Sequence, residues 1–195
     1  MPNQIKTLCL ILVLLLGVIL AQQVINSPSP SKAKARFFKF DTQQIASFQI
    51  NNFTLGQLFK KDKEGAWLIK EVTNNLTDSI KTPTKTPQNK LPNQFQQANS
   101  TSVAKALAYL TSLTNPEVIS DQRAKAELYK INSHSLHIVL YDKKGAVLDK
   151  IYIGKDGPNP MTSFLKKPDS NKVYLARQNF RLLFFRNFDD WLLKP

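Results

Sequence analysis

Cysteine is almost absent from this chain of 195 residues, because Cys9 is the only one. It lies in an apolar run near the N-terminus, so the rest of the chain has no thiol for a disulfide, a nucleophile or a thiolate metal site. Histidine is also scarce, since His134 and His137 are the only two. They fall in a predicted turn and the strand after it, would need carboxylates to complete a zinc site, and are not part of an HExxH motif. The sequence therefore predicts no metal and no cofactor.

Motifs of the common enzyme classes are missing as well. There is no GxSxG element, and the glycines of 154–160 run into prolines, which indicates a turn rather than a phosphate loop. Asp189 and Asp190 are neighbours that would diverge on a helix, so capping a terminal turn is their simpler role. We therefore expect no enzyme activity. A glycan hydrolase, which needs two carboxylates converging in a cleft, is the least favoured alternative.

Long apolar runs are absent except from Leu8 to Ala21, which follows Lys6. A basic start before an apolar core is typical of an export signal or signal anchor. The run is shorter than the roughly 20 residues that span a bilayer, but Ile5 to Ile25 would form one longer helix with polar positions. We predict an uncleaved transmembrane anchor over 1–25, with a cleaved signal peptide or a buried soluble helix as alternatives. The leucines of the membrane segment include Leu8, Leu12, Leu16 and Leu20.

Two opposing signals bear on the orientation of that segment. Lys32, Lys34, Arg36 and Lys39 follow it, and the positive-inside rule alone would keep this side in the cytoplasm. The short charged start is that of an export signal, and we give it more weight. The prediction is a single-pass protein of the inner, cytoplasmic membrane whose C-terminal domain lies outside the cytoplasm, in the periplasm.

Acidic residues are few, with 14 Asp and Glu against 27 Lys and Arg, so the net charge is +13. Such an excess favours anionic partners. The lysines are nevertheless spread from Lys32 to Lys194, which is the pattern of a solvated surface. No nucleic-acid reading motif is present, so we expect no nucleic-acid partner. The charge suits a domain held close to an anionic membrane.

Composition divides the remainder into a tether and one domain. Residues 26–36 are rich in proline, serine and lysine and are predicted to be a tether. Residues 37–195 are predicted to form one extracytoplasmic domain. Within it, 73–98 has many amides and few apolar side chains, which is too little apolar surface to offset the entropy of ordering. We predict a flexible surface insertion there rather than an active-site lid.

Period-two alternation predicts a half-buried strand at Ile45–Asn51. Two hairpins are predicted around charged turns that end in glycine, at 61–65 and 142–145. Shorter segments complete the predicted sheet. The other predicted strands are 54–60, 66–70, 117–120, 135–141, 147–153 and 172–176.

A main helix is predicted to begin at an Asn99 or Ser100 cap and to end before Pro116. Its apolar positions fall on one stripe, as expected for a core face, and Arg123–Leu128 adds a helical turn or two. The core stripe consists of Val103, Ala106, Leu107, Leu110 and Leu113.

The aromatic-rich end, Asn179–Leu193, is predicted to be a closing helix docked on the sheet. An interaction surface for a membrane or partner is the alternative. That surface would comprise Arg181, Phe184, Arg186, Phe188 and Trp191. The predicted fold is α+β, with antiparallel hairpins packed on one main helix, an N-terminal transmembrane helix and a C-terminal helix.

The order of these pieces follows a known pattern. Six features make up this pattern: the apolar strand with Phe48, the strand with Trp67, the main helix, "AELYKI" at 126–131, "IYIG" at 151–154 and "SFLKKPDSNKVYLA" at 163–176. Over about Phe40 to Arg177 the chain resembles the bacterial domain-of-unknown-function family number 4340. Its members often have Tyr-Gly-Leu where this chain has Tyr129-Lys130-Ile131.

The resemblance implies a membrane-anchored accessory domain of a transport or envelope system. Members of the family are often encoded beside ABC-transporter genes of the gliding-motility type, and the family offers no catalytic residue to carry over. We therefore predict an interaction domain with a protein partner in an envelope or transporter complex. The alternative is a binding module for an anionic envelope polymer or for an anionic lipid.

Overall fold

A computed structural model describes residues 35–52, 55–73 and 94–194. Within these ranges, every named strand belongs to one antiparallel sheet with the order β4-β3-β2-β1-β6-β7-β8-β9-β5. The strands are β1 (Ser47–Asn51), β2 (Leu55–Lys61), β3 (Trp67–Thr73), β4 (Gln96–Gln97), β5 (Glu117–Ser120), β6 (Leu136–Tyr141), β7 (Val147–Asp156), β8 (Ser163–Lys166) and β9 (Val173–Ala176). The predicted antiparallel sheet with few helices is thus present.

Two hairpin turns of the same design join β2 to β3 and β6 to β7. In each, an aspartate Oδ1 at the start accepts two backbone N–H groups of the turn, at Asp62 and at Asp142. Each ends in a glycine with positive φ, +87° at Gly65 and +79° at Gly145, a conformation that glycine adopts at little cost. Both predicted hairpins are confirmed.

The main helix, α1 (Ser100–Thr111), covers one face of the sheet and forms the core with it. Asn99 caps its start, because its Oδ1 accepts the N–H of Ser102 at 3.0 Å. All five side chains of the predicted apolar stripe are buried, as predicted. The helix follows β4 at one edge of the sheet and precedes β5 at the other.

The opposite face of the sheet carries a second, smaller apolar cluster at its β8–β9 end. A 3-10 helix, Arg123–Tyr129, lies over this part of the sheet, as predicted for a short helical segment there. Ala126 and Ile131 pack against Phe164 and Val173. The second face of the sheet is therefore covered at its β8–β9 end.

The predicted closing helix over 179–193 is wrong in its continuity. The chain forms a short helix, α2 (Phe180–Phe184), and then a 3-10 turn, Phe188–Trp191. Phe185 leaves the helical conformation with ψ 69°, which separates the two. The expected capping role of the acidic pair is confirmed, since Asp190 Oδ2 accepts the N–H of Asn187 at 3.2 Å.

The predicted insertion is too wide at both ends. Thr73 is the last residue of β3, and Ala98 is buried and pairs with Leu192. The remaining 74–93 lies outside the described residues. Two strands were not predicted, β4 and β8, and β7 extends to Asp156 into the predicted loop.

The predicted membrane anchor, with Leu8, Leu12, Leu16 and Leu20, lies outside the described residues, as does the tether up to residue 34. The last tether residue, Arg36, belongs to the domain, because it pairs with Thr114 and forms an ion pair with Asp41. Across the described ranges, no helix has the length and apolar character needed to cross a bilayer.

Candidate functional site

A cleft of about 290 Å³ lies at the end of the sheet remote from the two hairpin turns. We call it the C-terminal cleft. Its floor is apolar, from the start of β6 and the facing part of β7, and its walls are polar and basic. It is lined by Asn52, Lys130, His134, Ser135, Leu136, Ile153, Arg181 and Phe185.

One wall of the cleft is a loop held by local hydrogen bonds. Ser135 Oγ donates to the carbonyl oxygen of Lys130 at 2.7 Å and accepts the N–H of Asn132 at 2.7 Å. Asn132 Oδ1 also accepts the N–H of His134 at 3.0 Å. These bonds fix the backbone that carries Lys130 into the cleft.

Lys130 itself has an uncommon backbone conformation. Its φ is +54°, in the left-handed region, where it ends the 3-10 helix. A lysine there is uncommon, because its Cβ crowds the backbone. Residues held in this region recur at functional sites, where the surrounding structure compensates for the strain.

The other wall is α2, which is held firmly against the sheet. Phe180 and Phe184 are buried, and the N–H of Phe180 donates to Ser163 Oγ at 2.8 Å. Asn179 caps the helix by accepting the N–H of Leu182 at 2.8 Å. This anchoring leaves Arg181 at the cleft and Leu182 directed outward, while Leu183 packs against the core.

Leu182 and Phe185 are the outward apolar side chains of this wall. Leu182 is 73% exposed and Phe185 is 54% exposed. Being three positions apart around a helix end, they are neighbours on one surface. Leu182 and Phe185 therefore add exposed apolar surface beside the cleft.

The charge of the cleft is uniformly positive. No acidic residue lines it. Within the described part of the chain the ion pairs are Arg36–Asp41 and Lys167–Asp149, so neither Lys130 nor Arg181 has an acidic partner there. The guanidinium of Arg181 lies 4.8 Å from the ring centre of Phe185, within the range of a cation–π contact.

The five residues of the predicted interaction surface lie in different environments. Phe184 and Trp191 are fully buried and belong to the core, because their helical spacing matches the inner face of the segment. Phe188 is half-buried against that core. Arg186 lies 5.0 Å from the ring centre of Trp191. Of the predicted set, Arg181 alone lines the C-terminal cleft.

Sequence reasoning missed Lys130, Leu182 and Phe185. A signal for two of them was present, since Leu182 and Phe185 are apolar residues that lie off the buried stripe of their helix. Lys130 gave no signal of its own, because the loop that brings it to α2 is distant in sequence. Within the described ranges, no three side chains of His, Cys, Asp or Glu come together as a metal site would require.

An antiparallel α+β domain with a basic, apolar-floored cleft is the class that the fold and site define. The chain belongs to the family described as domain of unknown function (DUF4340), whose model matches residues 90–194. The predicted family is thus confirmed, although the match begins later and ends later than the resemblance did. The matched range, 90–194, includes both walls of the C-terminal cleft. No curated protein and no solved structure matches the chain significantly.

Proposed function

We propose that this chain is a membrane-anchored, extracytoplasmic accessory domain without enzyme activity, which binds a partner protein at the C-terminal cleft. The observation that carries the proposal is the combination of exposed Leu182 and Phe185 with the basic pair Lys130 and Arg181. An anchor over 1–25 would hold the domain at the membrane. The class of partner, a subunit of an envelope or ABC-transporter system, is the one that the family resemblance implies.

The shape of the site favours a protein segment over a small metabolite. At about 290 Å³ the cleft is at the lower limit of pockets that enclose a small ligand. Leu182 lies outside its lining but adjoins it on α2. A ligand that covers the cleft and also Leu182 must therefore extend from the cleft onto the helix, as a peptide segment does.

The charge of the site specifies the chemistry of that segment. Arg181 offers a planar fork of donors suited to a carboxylate, and Lys130 offers a second cation. The floor, from Leu136 and Ile153, and the exposed Phe185 suit apolar side chains. The partner segment is therefore acidic and apolar together.

Site-specific photocrosslinking of the full-length chain in native membranes tests the proposal. A crosslinker at position 185 should capture one defined protein, and a crosslinker at the exposed Lys105 position on α1 should not. The substitution Arg181→Glu should lower the yield at least about tenfold, because a carboxylate would then meet a carboxylate. The matched change Lys105→Glu should leave it intact.

Two results would overturn the proposal. One is capture of the same proteins from positions 185 and 105. The other is a position-185 adduct that survives Arg181→Glu unchanged. Circular dichroism of each variant confirms that the fold is retained.

A further inference from the structure

The two hairpin turns lie side by side at the end of the sheet away from the C-terminal cleft. Lys61 donates its N–H to the carbonyl oxygen of Ala46 at 3.1 Å, and Ala46 donates its N–H to that of Tyr141 at 2.9 Å. The ends of β2 and β6 therefore flank the residue that precedes β1. With strands about 4.8 Å apart, the turns are roughly 10 Å from each other.

Lysines concentrate on these turns. We call the group the hairpin-turn surface: Lys60, Lys61, Lys63, Lys143, Lys144 and Val147. Four of the five lysines are exposed, and Lys61 is half-buried. The charge of Lys143 is close enough to help lower the pKa of Lys61, after burial as the larger cause.

Three acids share the turns with the five lysines, so the group keeps a net charge of +2 (five lysines less Asp62, Glu64 and Asp142). Asp62 and Asp142 each use Oδ1 to accept two backbone N–H groups of their own turn. Glu64 is the other acid of the two turns. None of these lysines forms an ion pair with an acid within the described residues. Lys60 lies 3.8 Å from the ring centre of Phe95 and Lys61 lies 5.1 Å from that of Trp67, so the cations that project into solvent are Lys63, Lys143 and Lys144.

One exposed apolar side chain belongs to the same surface. Val147 directly follows the second turn and is 60% exposed. A soluble polyanion would bind the lysines through their charge but would make no favourable contact with the apolar side chain of Val147. The boundary between headgroups and acyl chains of a bilayer accommodates both, since cations meet anionic headgroups and small apolar side chains enter the region below.

We propose that the hairpin-turn surface binds the surface of an anionic phospholipid bilayer. Two projecting turns need no pocket, because a bilayer offers a continuous plane of headgroups. The predicted N-terminal anchor would keep such a plane within reach. This binding is independent of the C-terminal cleft, so the domain would contact lipid at one end of its sheet and a partner at the other.

Amine acetylation of the full-length chain, read by mass spectrometry, tests the lipid proposal. The purified chain is mixed with vesicles of phosphatidylcholine, either alone or with phosphatidylglycerol. Phosphatidylglycerol should protect Lys63, Lys143 and Lys144 from acetylation, while Lys105 on α1 remains reactive. Each single substitution of one of these three lysines by glutamate should weaken binding to the anionic vesicles about fivefold.

Controls separate the lipid proposal from the partner proposal. The double variant Lys130→Glu/Arg181→Glu should keep full lipid protection, and the turn variants should keep the position-185 crosslink. Val147→Ser should weaken vesicle binding without changing binding of dextran sulfate, a soluble polyanion. Equal protection by both vesicle types, or none, would overturn the proposal. Protection by dextran sulfate as strong as by vesicles, with Val147→Ser silent, would assign the surface to a soluble polymer instead.

Discussion

At the residue scale, Trp191 is the largest fully buried side chain and carries an unpaired polar atom. Its Nε1 has no hydrogen-bond partner among the described residues, while its ring packs 5.2 Å from that of Phe59. Leaving a buried donor unpaired costs about 1–3 kcal/mol. The aromatic body of Trp191 therefore stabilises the fold, and its N–H opposes that effect.

Trp191→Phe should accordingly cost far less stability than Trp191→Ala. The phenylalanine keeps most of the aromatic contact and removes the unpaired N–H, so we expect a change within about 1.5 kcal/mol of zero. The alanine leaves a large cavity and should cost about 3–5 kcal/mol. Urea unfolding of the two variants measures the difference. A loss for Trp191→Phe as large as that for Trp191→Ala would contradict the prediction.

His137 makes stability depend on pH. Burial lowers its pKa and the charge of Lys150 lowers the pKa further, against a hydrogen bond to the carbonyl oxygen of Ser135 that raises it. The unfolded chain, with a histidine pKa of about 6.5, then binds the proton before the folded chain does. The contribution of His137 to the free energy of unfolding is therefore complete above about pH 6.5 and decreases as the pH falls towards the pKa of the folded state.

Replacing His137 by glutamine should flatten that dependence between about pH 7 and pH 5. Glutamine can still donate a hydrogen bond to the Ser135 carbonyl but takes up no proton. The matched change His134→Gln, at an exposed histidine, supplies the control. Thermal unfolding across this range is the measurement, and an unchanged slope in His137→Gln would contradict the prediction.

Lys130 links backbone strain to the C-terminal cleft. Glycine adopts the observed φ of +54° without strain, so Lys130→Gly should raise the free energy of unfolding by about 1 kcal/mol. The same change removes a cation from the cleft and should weaken partner capture at position 185. A melting curve and the crosslinking yield, measured on one sample, report the two effects. Lys130→Ala, which loses the charge but keeps the strain, should weaken capture without the gain in stability.

At the scale of elements, α1 contributes most of its stabilisation through one face. Leu110 is fully buried on that face, whereas Leu182 on α2 is mostly exposed. Leu110→Ala should cost about 2–5 kcal/mol, because it removes apolar contacts and leaves a cavity. Leu182→Ala should change the free energy of unfolding by less than about 0.5 kcal/mol. Comparable losses, measured by chemical denaturation, would mean that Leu182 is covered in solution.

The elements that the sequence predicted are those with a local signal. The turns at Asp62 and Asp142 have an aspartate at one end and a glycine at the other, and α1 has a cap and an apolar stripe. Strand β8 lacked such a signal. All four of its residues are buried, so its two faces do not alternate between apolar and polar.

The C-terminal segment shows why periodicity alone was insufficient. Phe180, Phe184 and Trp191 face the core at helical spacing, and this spacing is the same whether the helix is continuous or broken. The break depends on Phe185 and on the second cap at Asn187, which packing determines. The burial of the aromatic residues was therefore predictable and the break was not.

At the scale of the whole molecule, repulsion between cations is the largest electrostatic feature. The chain carries a net charge of +13, and two ion pairs are present within its described part. Solvent-exposed charges interact over about 10 Å at 0.1 M salt. The compact state therefore concentrates like charges that the unfolded chain separates.

Added sodium chloride should consequently raise the melting temperature. Screening weakens repulsion between lysines in the folded state more than it weakens the few ion pairs. A gain of about 1 kcal/mol would correspond to roughly 2–4 °C for a chain of this size. Scanning calorimetry at low and high salt provides the test. A melting temperature that falls with salt would show that attractive pairs outweigh the repulsion.

The sequence by itself determined the family, the antiparallel hairpins, the main helix and the basic excess. These depend on residues close together along the chain, where turn chemistry and periodicity act directly. The tertiary structure alone brought Lys130 beside α2 and placed the Asp62 and Asp142 turns next to each other. The adjacent turns follow from strand order, with β1 between β2 and β6, and Lys130 reaches α2 because α2 is anchored on β8. Both depend on packing between distant segments.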